Sequence, residues 1–268
     1  MVLKRLFQRV RFAEAEEPLV EGRAPRLPDG VRVYAIGDLH GCLDLLTSLE
    51  AQIAIDIERT GGQLDHFLVY LGDYVDRGPN SRELVDHLIR PQQDGLRRVH
   101  LLGNHDAWLR AYLHGDSVGA GWLRYGGDAT LVSYGVRLRP GLDDEARLAA
   151  TQPAMAAAVP EEHVRFLDGL EVAFSFGDYF FCHAGIRPNL PIEAQVEEDL
   201  IWIRDPFLDW RGDPGKVVVH GHTIEERPAV RRNRIGVDTG AYSTGNLTCV
   251  VLEGRSHRFI STSGATMA

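Results

Sequence analysis

The sequence predicts an α/β fold in which two mixed β-sheets pack face to face, flanked by helices, with a small helical cap. Three observations predict it. From residue 31, apolar strand patterns alternate with helical spacing: VRVYAI (31–36), HFLVYLG (66–72), SRELVDHLI (81–89), RVHLLG (98–103) and HDAWLRAYL (105–113). Short connections between such elements imply a parallel sheet covered on both faces. Residues 115–168 then turn rich in Ala, Gly and charge, with helical spacing in DDEARLAA and EEHVRFLDGL, and read as a cap of short helices. Beyond them six strand patterns crowd together: LEVAFSF, YFFCHAG, KVVVHGHT, RIGVDTG, NLTCVVLEG and SHRFIST. Turn residues separate most of these, which implies antiparallel pairing.

At 268 residues and 44% hydrophobic, the chain suits one large domain with a substantial core. Residues 29–262 read as that domain, residues 1–28 as an N-terminal appendage and residues 263–268 as a disordered tail. In the appendage, Leu3, Leu6, Phe7 and Val10 share a helical face beside Lys4, Arg5, Arg9 and Arg11, so a short terminal helix is expected. The formal net charge of −9 argues against nucleic acid or anionic lipid as a partner. No apolar run approaches the length of a membrane span, and the first residues lack the continuous apolar stretch of a secretory signal. Cys42, Cys182 and Cys249 are odd in number and form no C-x-x-C pair, which points to a reducing, cytoplasmic setting without disulfides.

Polar residues at the strand ends carry the chemistry. VRVYAIG runs into Asp38-Leu39-His40, HFLVYLG into Asp73 with Asp76-Arg77 close behind, and RVHLLG into Asn104-His105-Asp106. Open α/β sheets bind ligands outside the carboxyl ends of their strands. Residues i and i+2 of an extended segment face the same side, so Asp38 and His40 can address one ion while Leu39 turns into the core. Two later strands add His183 and the pair His220 and His222, which spacing alone cannot tell apart. Oxygen and nitrogen donors without sulfur suit Mn²⁺, Fe²⁺ or Zn²⁺. The set is also large enough for two ions sharing a carboxylate, an arrangement that clamps a phosphoryl group between cations roughly 3.5–4 Å apart.

GDLHG (37–41), GDYVDRG (72–78), GNHD (103–106), HAG (183–185) and GHT (221–223) occur in this order. Together they resemble the PPP family of serine/threonine protein phosphatases, of the bacteriophage lambda and bacterial type, within the calcineurin-like metallophosphoesterases. WLRYGGD (122–128), LIWIRD (200–205) and DTGAYSTGNLT (238–248) extend the likeness over about residues 31–253. The resemblance implies the metallophosphoesterase fold and a dinuclear-metal phosphomonoesterase, foremost a serine/threonine protein phosphatase, acting on a phosphorylated protein or a small phosphate ester. It implies Asp38 and His40 on a first metal, Asp73 bridging, and Asn104, His183 and His222 on a second. The cofactors would be two divalent ions, Mn²⁺ first, with Fe or Zn as substitutes. Arg77 and Arg204 would hold phosphate oxygens, and His105, oriented by Asp76, would be the general acid. A hydroxide bridging the metals would attack phosphorus directly.

Asp106 departs from this pattern, since the protein phosphatases usually carry GNHE. The GNHD form resembles the symmetrical diadenosine tetraphosphatases, which often lack the acid corresponding to Asp76. Hydrolysis of a dinucleoside tetraphosphate is therefore the alternative expectation. It needs a base-stacking surface, for which Trp108, Trp122, Tyr125 and Tyr242 are candidates. CHAGIR (182–187) is one residue short of the cysteine-phosphatase loop, so Cys182 reads as a buried neighbour of a ligand and Arg187 as a phosphate contact or a rim ion pair. Gly126-Gly127 reads as a tight turn.

Overall fold

The computed structural model describes residues 10–12, 24–60, 64–92, 95–118, 120–138 and 143–263. Its strands in chain order are β1 (Val10–Phe12), β2 (Val31–Ile36), β3 (Asp65–Tyr70), β4 (Arg97–His100), β5 (Ala173–Phe176), β6 (Tyr179–Cys182), β7 (Val217–His220), β8 (Ala229–Val230), β9 (Arg234–Gly236), β10 (Thr248–Glu253) and β11 (Ser256–Ser261). One sheet has the order β11-β10-β2-β3-β4 and the other β1-β5-β6-β7-β9-β8. The helices are α1 (Leu43–Arg59), α2 (Ser81–Ile89), α3 (Asn104–Leu113), α4 (Gly121–Arg124), α5 (Gly127–Ser133), α6 (Asp144–Ala158), α7 (Glu161–Gly169), α8 (Glu197–Trp202), α9 (Asp205–Leu208) and α10 (Ala241–Thr244).

Alternation along each strand builds two cores. Val33 and Ala35 of β2, Val69 of β3, Phe181 of β6, Val219 of β7 and Val250 of β10 fill the space between the sheets. Their neighbours Tyr34, Ile36, Tyr70, Phe180, Val218 and Cys249 join Leu46, Leu49 and Ile53 of α1 in the other core. Both faces are buried, which is why these strands appear as unbroken apolar runs in the sequence.

The pairing β2–β3–β4 is parallel, as the alternation implies. The later strands differ from expectation. β5–β6, β8–β9 and β10–β11 are antiparallel, but β6–β7 and β7–β9 are parallel. The long connection from β6 to β7 contains α8 and α9, and a crossover of that length can return the chain in the same direction. Val10–Phe12 also departs from expectation, forming a strand parallel to β5 instead of part of a helix. An edge strand offers unpaired backbone groups, whereas a short isolated helix is marginal. The expected helix over residues 1–9 and the tail at 264–268 lie outside the described residues. Leu27 is fully buried in the inter-sheet core, and its N–H donates to the Gly254 carbonyl at 2.8 Å.

Helices α4 to α7 pack on α2 and α3 and on one another. Among the described residues, no helix is long and apolar enough to cross a membrane.

Candidate active site

Strand ends from both sheets meet at one rim. The Asp73 carboxylate stands at its centre, with Oδ2 3.4 Å from His40 Nε2 and 3.4 Å from His183 Nε2. The donor atoms of His40, Asp73 and His105 lie within 4.8 Å of one another, and so do those of Asp73, His183 and His222. Asn104 Oδ1 and His222 Nδ1 lie 3.0 and 3.1 Å from His183 Nε2. Asp38 closes the cluster, accepting the His222 backbone N–H on both oxygens at 3.1 Å.

Backbone carbonyls aim the rings. His40 Nδ1 is 2.9 Å from the Val75 carbonyl and His183 Nδ1 is 2.9 Å from that of Leu71. With those nitrogens engaged as donors, each Nε2 is left facing Asp73. His222 belongs to the cluster, whereas His220 Nδ1 turns to the Gly221 carbonyl at 3.0 Å and its ring packs on Phe207. The two histidines part because β7 ends at His220 and His222 adopts φ +62°, which breaks the strand parity.

Electrostatics favours cations here. Burial pushes the pKa of His40 down to about 3 and that of His222 to about 2, which favours the neutral rings. Burial also opposes charge on Asp73, but His183 and His105 outweigh it and hold the carboxyl well below the usual range. Asp38 is pushed up by burial and then by Asp238. Burial opposes charge on His183 as well, yet Asp73 and Asp38 lift its pKa to about 10. The two carboxylates thus draw positive charge into the cluster. His222 Nε2 is buried without a protein partner. Neutral imidazoles, an amide oxygen and carboxylates grouped around one shared carboxylate fit a pair of divalent cations.

The backbone is strained where the cluster forms. Among the described residues six non-glycines have positive φ, and five of them are His40, Asp73, Asp76, Arg77 and His222. Such strain persists only where the surroundings over-determine it. Asp106 does part of this work: its carboxylate accepts the backbone N–H groups of Asp73 at 2.7 Å, Tyr74 at 2.8 Å and Gly103 at 2.9 Å. A Cβ on Gly103 would collide with the Asp73 carboxylate, and one on Gly221 with that of Asp38.

The cap supplies a second layer. His105 Nδ1 lies 2.7 Å from Asp76 Oδ2, which also accepts the Trp122 indole N–H at 2.8 Å. Thr130 Oγ1 donates to Asp76 Oδ1 at 2.6 Å. Arg77 reaches over the cleft, with Nη1 2.9 Å from His40 Nε2 and Nη2 3.1 Å from His105 Nε2. The Gly126 carbonyl accepts the Arg77 backbone N–H at 3.0 Å, and Gly126 has φ +101°, so this glycine is the turn that holds the arginine, whereas Gly127, expected in the same turn, opens α5.

The sequence profile of the calcineurin-like phosphoesterases matches residues 31–247. The chain belongs to the calcineurin-like phosphoesterase family. Similar proteins include the asymmetrical bis(5′-nucleosyl)-tetraphosphatase of Bacillus velezensis, 27% identical over 233 residues that cover 80% of this chain and 86% of the relative. The symmetrical bis(5′-nucleosyl)-tetraphosphatase of Cronobacter sakazakii is 28% identical over 273 residues, covering 83% of this chain and 92% of that one. The crystal structure of a candidate diadenosine tetraphosphatase superposes with TM-score 0.59 at 22% identity, covering 89% of this chain and 98% of that chain, and so shares the fold.

These relatives correct the expected activity. The protein-phosphatase reading gives way because the Bacillus velezensis and Cronobacter sakazakii relatives, each matched over most of this chain, are named tetraphosphatases. In this phosphoesterase Arg204 is exposed at the mouth, with Nη1 3.4 Å from Thr223 Oγ1. Arg187 forms a two-pronged ion pair with Asp199, Nε to Oδ2 at 2.7 Å, and is thereby engaged. Cys182 is fully buried and burial pushes its thiol up, which leaves it inert. Trp122 is likewise fully buried, unavailable to any base. Sequence reasoning missed Trp202, exposed beside His222 though it stands in the quoted LIWIRD, and Thr130, just past WLRYGGD.

Proposed function

We propose that this phosphoesterase hydrolyses dinucleoside polyphosphates at a centre of two divalent cations. The observation that carries the reading is the Asp73 carboxylate facing two donor groups at once. The tetraphosphatase names of its relatives support the choice of substrate.

Asp38, His40 and Asp73 would hold one cation, and Asp73, Asn104, His183 and His222 the other. When bound, the cations supply Lewis-acid charge to phosphate oxygens and make water a stronger nucleophile at neutral pH. Arg77 presents two guanidinium nitrogens to the cleft beside His40 and His105, the geometry for gripping a phosphate through paired N–H donors. Arg204 at the mouth would meet a further phosphate of the chain. His105, with Nδ1 engaged by Asp76, points Nε2 into the cleft and would give its proton to the departing phosphate oxygen as the P–O anhydride bond breaks.

The test is a comparison of kcat/KM on diadenosine tetraphosphate, a phosphoserine peptide and an aryl phosphate with Mn²⁺ present. The dinucleotide is expected to lead, and chromatography of the products separates cleavage to two ADP from cleavage to ATP and AMP. A faster reaction with the phosphopeptide would overturn the proposal.

A further inference from the structure

Three aromatic side chains from separate elements line one side of the cleft. Trp108 of α3 stacks on Tyr125, which follows α4, with ring centroids 5.8 Å apart and planes 21° from parallel. Trp202, the last residue of α8, meets Trp108 edge-on at 4.7 Å. The row abuts the polar centre: Trp108 lies 5.3 Å from the His105 ring and Trp202 lies 6.4 Å from that of His222. Yet it is open to solvent, with Tyr125 56% and Trp202 37% exposed. Exposed large apolar residues that adjoin one another mark a surface built to be covered.

We propose that Trp108, Tyr125 and Trp202 form a nucleobase-binding subsite of this phosphoesterase. The assignment rests on the dinucleoside polyphosphate reading above. Its occupant must present a flat, weakly polar face joined to a polyanion, because the row borders a cleft edged by Arg77 and Arg204. A nucleotide has that composition, with a base for the rings and phosphates for the arginines. Of the two other aromatics near the cleft, Trp122 is excluded because it is fully buried, and Tyr242, 40% exposed, gives a face to the Arg77 guanidinium 4.7 Å from its ring centroid and stands apart from the row. Base stacking on an aromatic ring tolerates any base, so the subsite should accept adenine and guanine dinucleotides alike.

The experiment compares diadenosine tetraphosphate with inorganic tripolyphosphate, which has no base, for the Tyr125→Ala and Trp202→Ala enzymes. The ratio of kcat/KM for the dinucleotide to that for tripolyphosphate is expected to fall about 5- to 150-fold per ring removed. Tyr125→Phe, which keeps the ring, should retain the ratio. An unchanged ratio in both alanine variants, or an equal loss in Tyr125→Phe, would overturn the subsite. Binding is read separately from turnover by titrating tryptophan fluorescence with AMP and with inorganic phosphate. Quenching by AMP alone, diminished in Trp202→Ala, supports the subsite even if no dinucleotide is cleaved, and that second result would sink only the proposed reaction. Equal responses to AMP and phosphate would overturn the subsite whatever the enzyme hydrolyses.

Discussion

The indole N–H of Trp122 donates to Asp76 Oδ2 at 2.8 Å, on the same oxygen that lies 2.7 Å from His105 Nδ1. A residue of the helical cap therefore sets the position of a carboxylate that in turn sets a histidine in the cleft. Trp122→Phe keeps the ring volume and deletes the donor. A hydrogen bond to a charged group contributes about 1.5–3 kcal/mol. The variant is expected to lose thermal stability and to turn over diadenosine tetraphosphate more slowly with its bound metal unchanged. An unchanged kcat/KM would mean that the indole only fills space.

His105→Asn tests the proposed acid directly. Turnover of diadenosine tetraphosphate should drop by about 10²–10⁴-fold while the bound metal stays constant by elemental analysis. Near-normal rates would remove His105 from the reaction.

Asp73 faces both donor groups, so Asp73→Asn should strip most divalent cation from the protein. Two ions per chain persisting after gel filtration would argue against a shared carboxylate.

Gly103→Ala probes the same carboxylate from the backbone side. The added methyl would strike Asp73 Oδ1 and the Asp73 backbone nitrogen. Gly103 has φ −92°, which alanine adopts without strain, so any damage comes from the collision alone. Loss of metal and activity in a folded variant is expected. Wild-type metal content would show that the strand end can yield.

His100 gives the protein an acid-sensitive limb of stability. Its ring stacks on Tyr70 with centroids 4.9 Å apart and planes 3° from parallel, and burial, then Arg98, pushes its pKa down to about 4. An unfolded histidine titrates near 6.5. The unfolded chain therefore takes up the proton first, and stability from this group is intact above about pH 6.5 and declines as pH falls toward 4. Denaturant melts of His100→Phe should show a shallower decline over that window. An unchanged slope would assign the acid limb to other groups.

How far the sequence reached depends on the range of the interactions. Ser81–Ile89 forms as one helix with the predicted bounds, because helical spacing is a local property of nine residues. Pairing direction of β6 with β7 and of β7 with β9 was not legible, because apolar alternation is the same for either direction and the length of the crossover decides. Val10–Phe12 went to strand rather than helix because an unpaired edge of β5 competes for its backbone, and no local pattern records that competition.

The sequence by itself determined which residue types arrive at strand ends: Asp38 and His40 after β2, Asp73 after β3, Asn104 and His105 after β4, His183 after β6, His222 after β7. A glycine at each break and the family resemblance together write that list, since spacing by itself leaves His220 and His222 open. Tertiary structure alone decided that these ends converge, as when the His222 backbone N–H meets the Asp38 carboxylate across 184 positions of chain. It alone buried Trp122 and exposed Trp202, and it brought His222 rather than His220 into the cluster, where strand spacing leaves the two open. The reason is physical: strand parity sets a face within one element, whereas which faces meet is settled by packing between elements far apart in sequence.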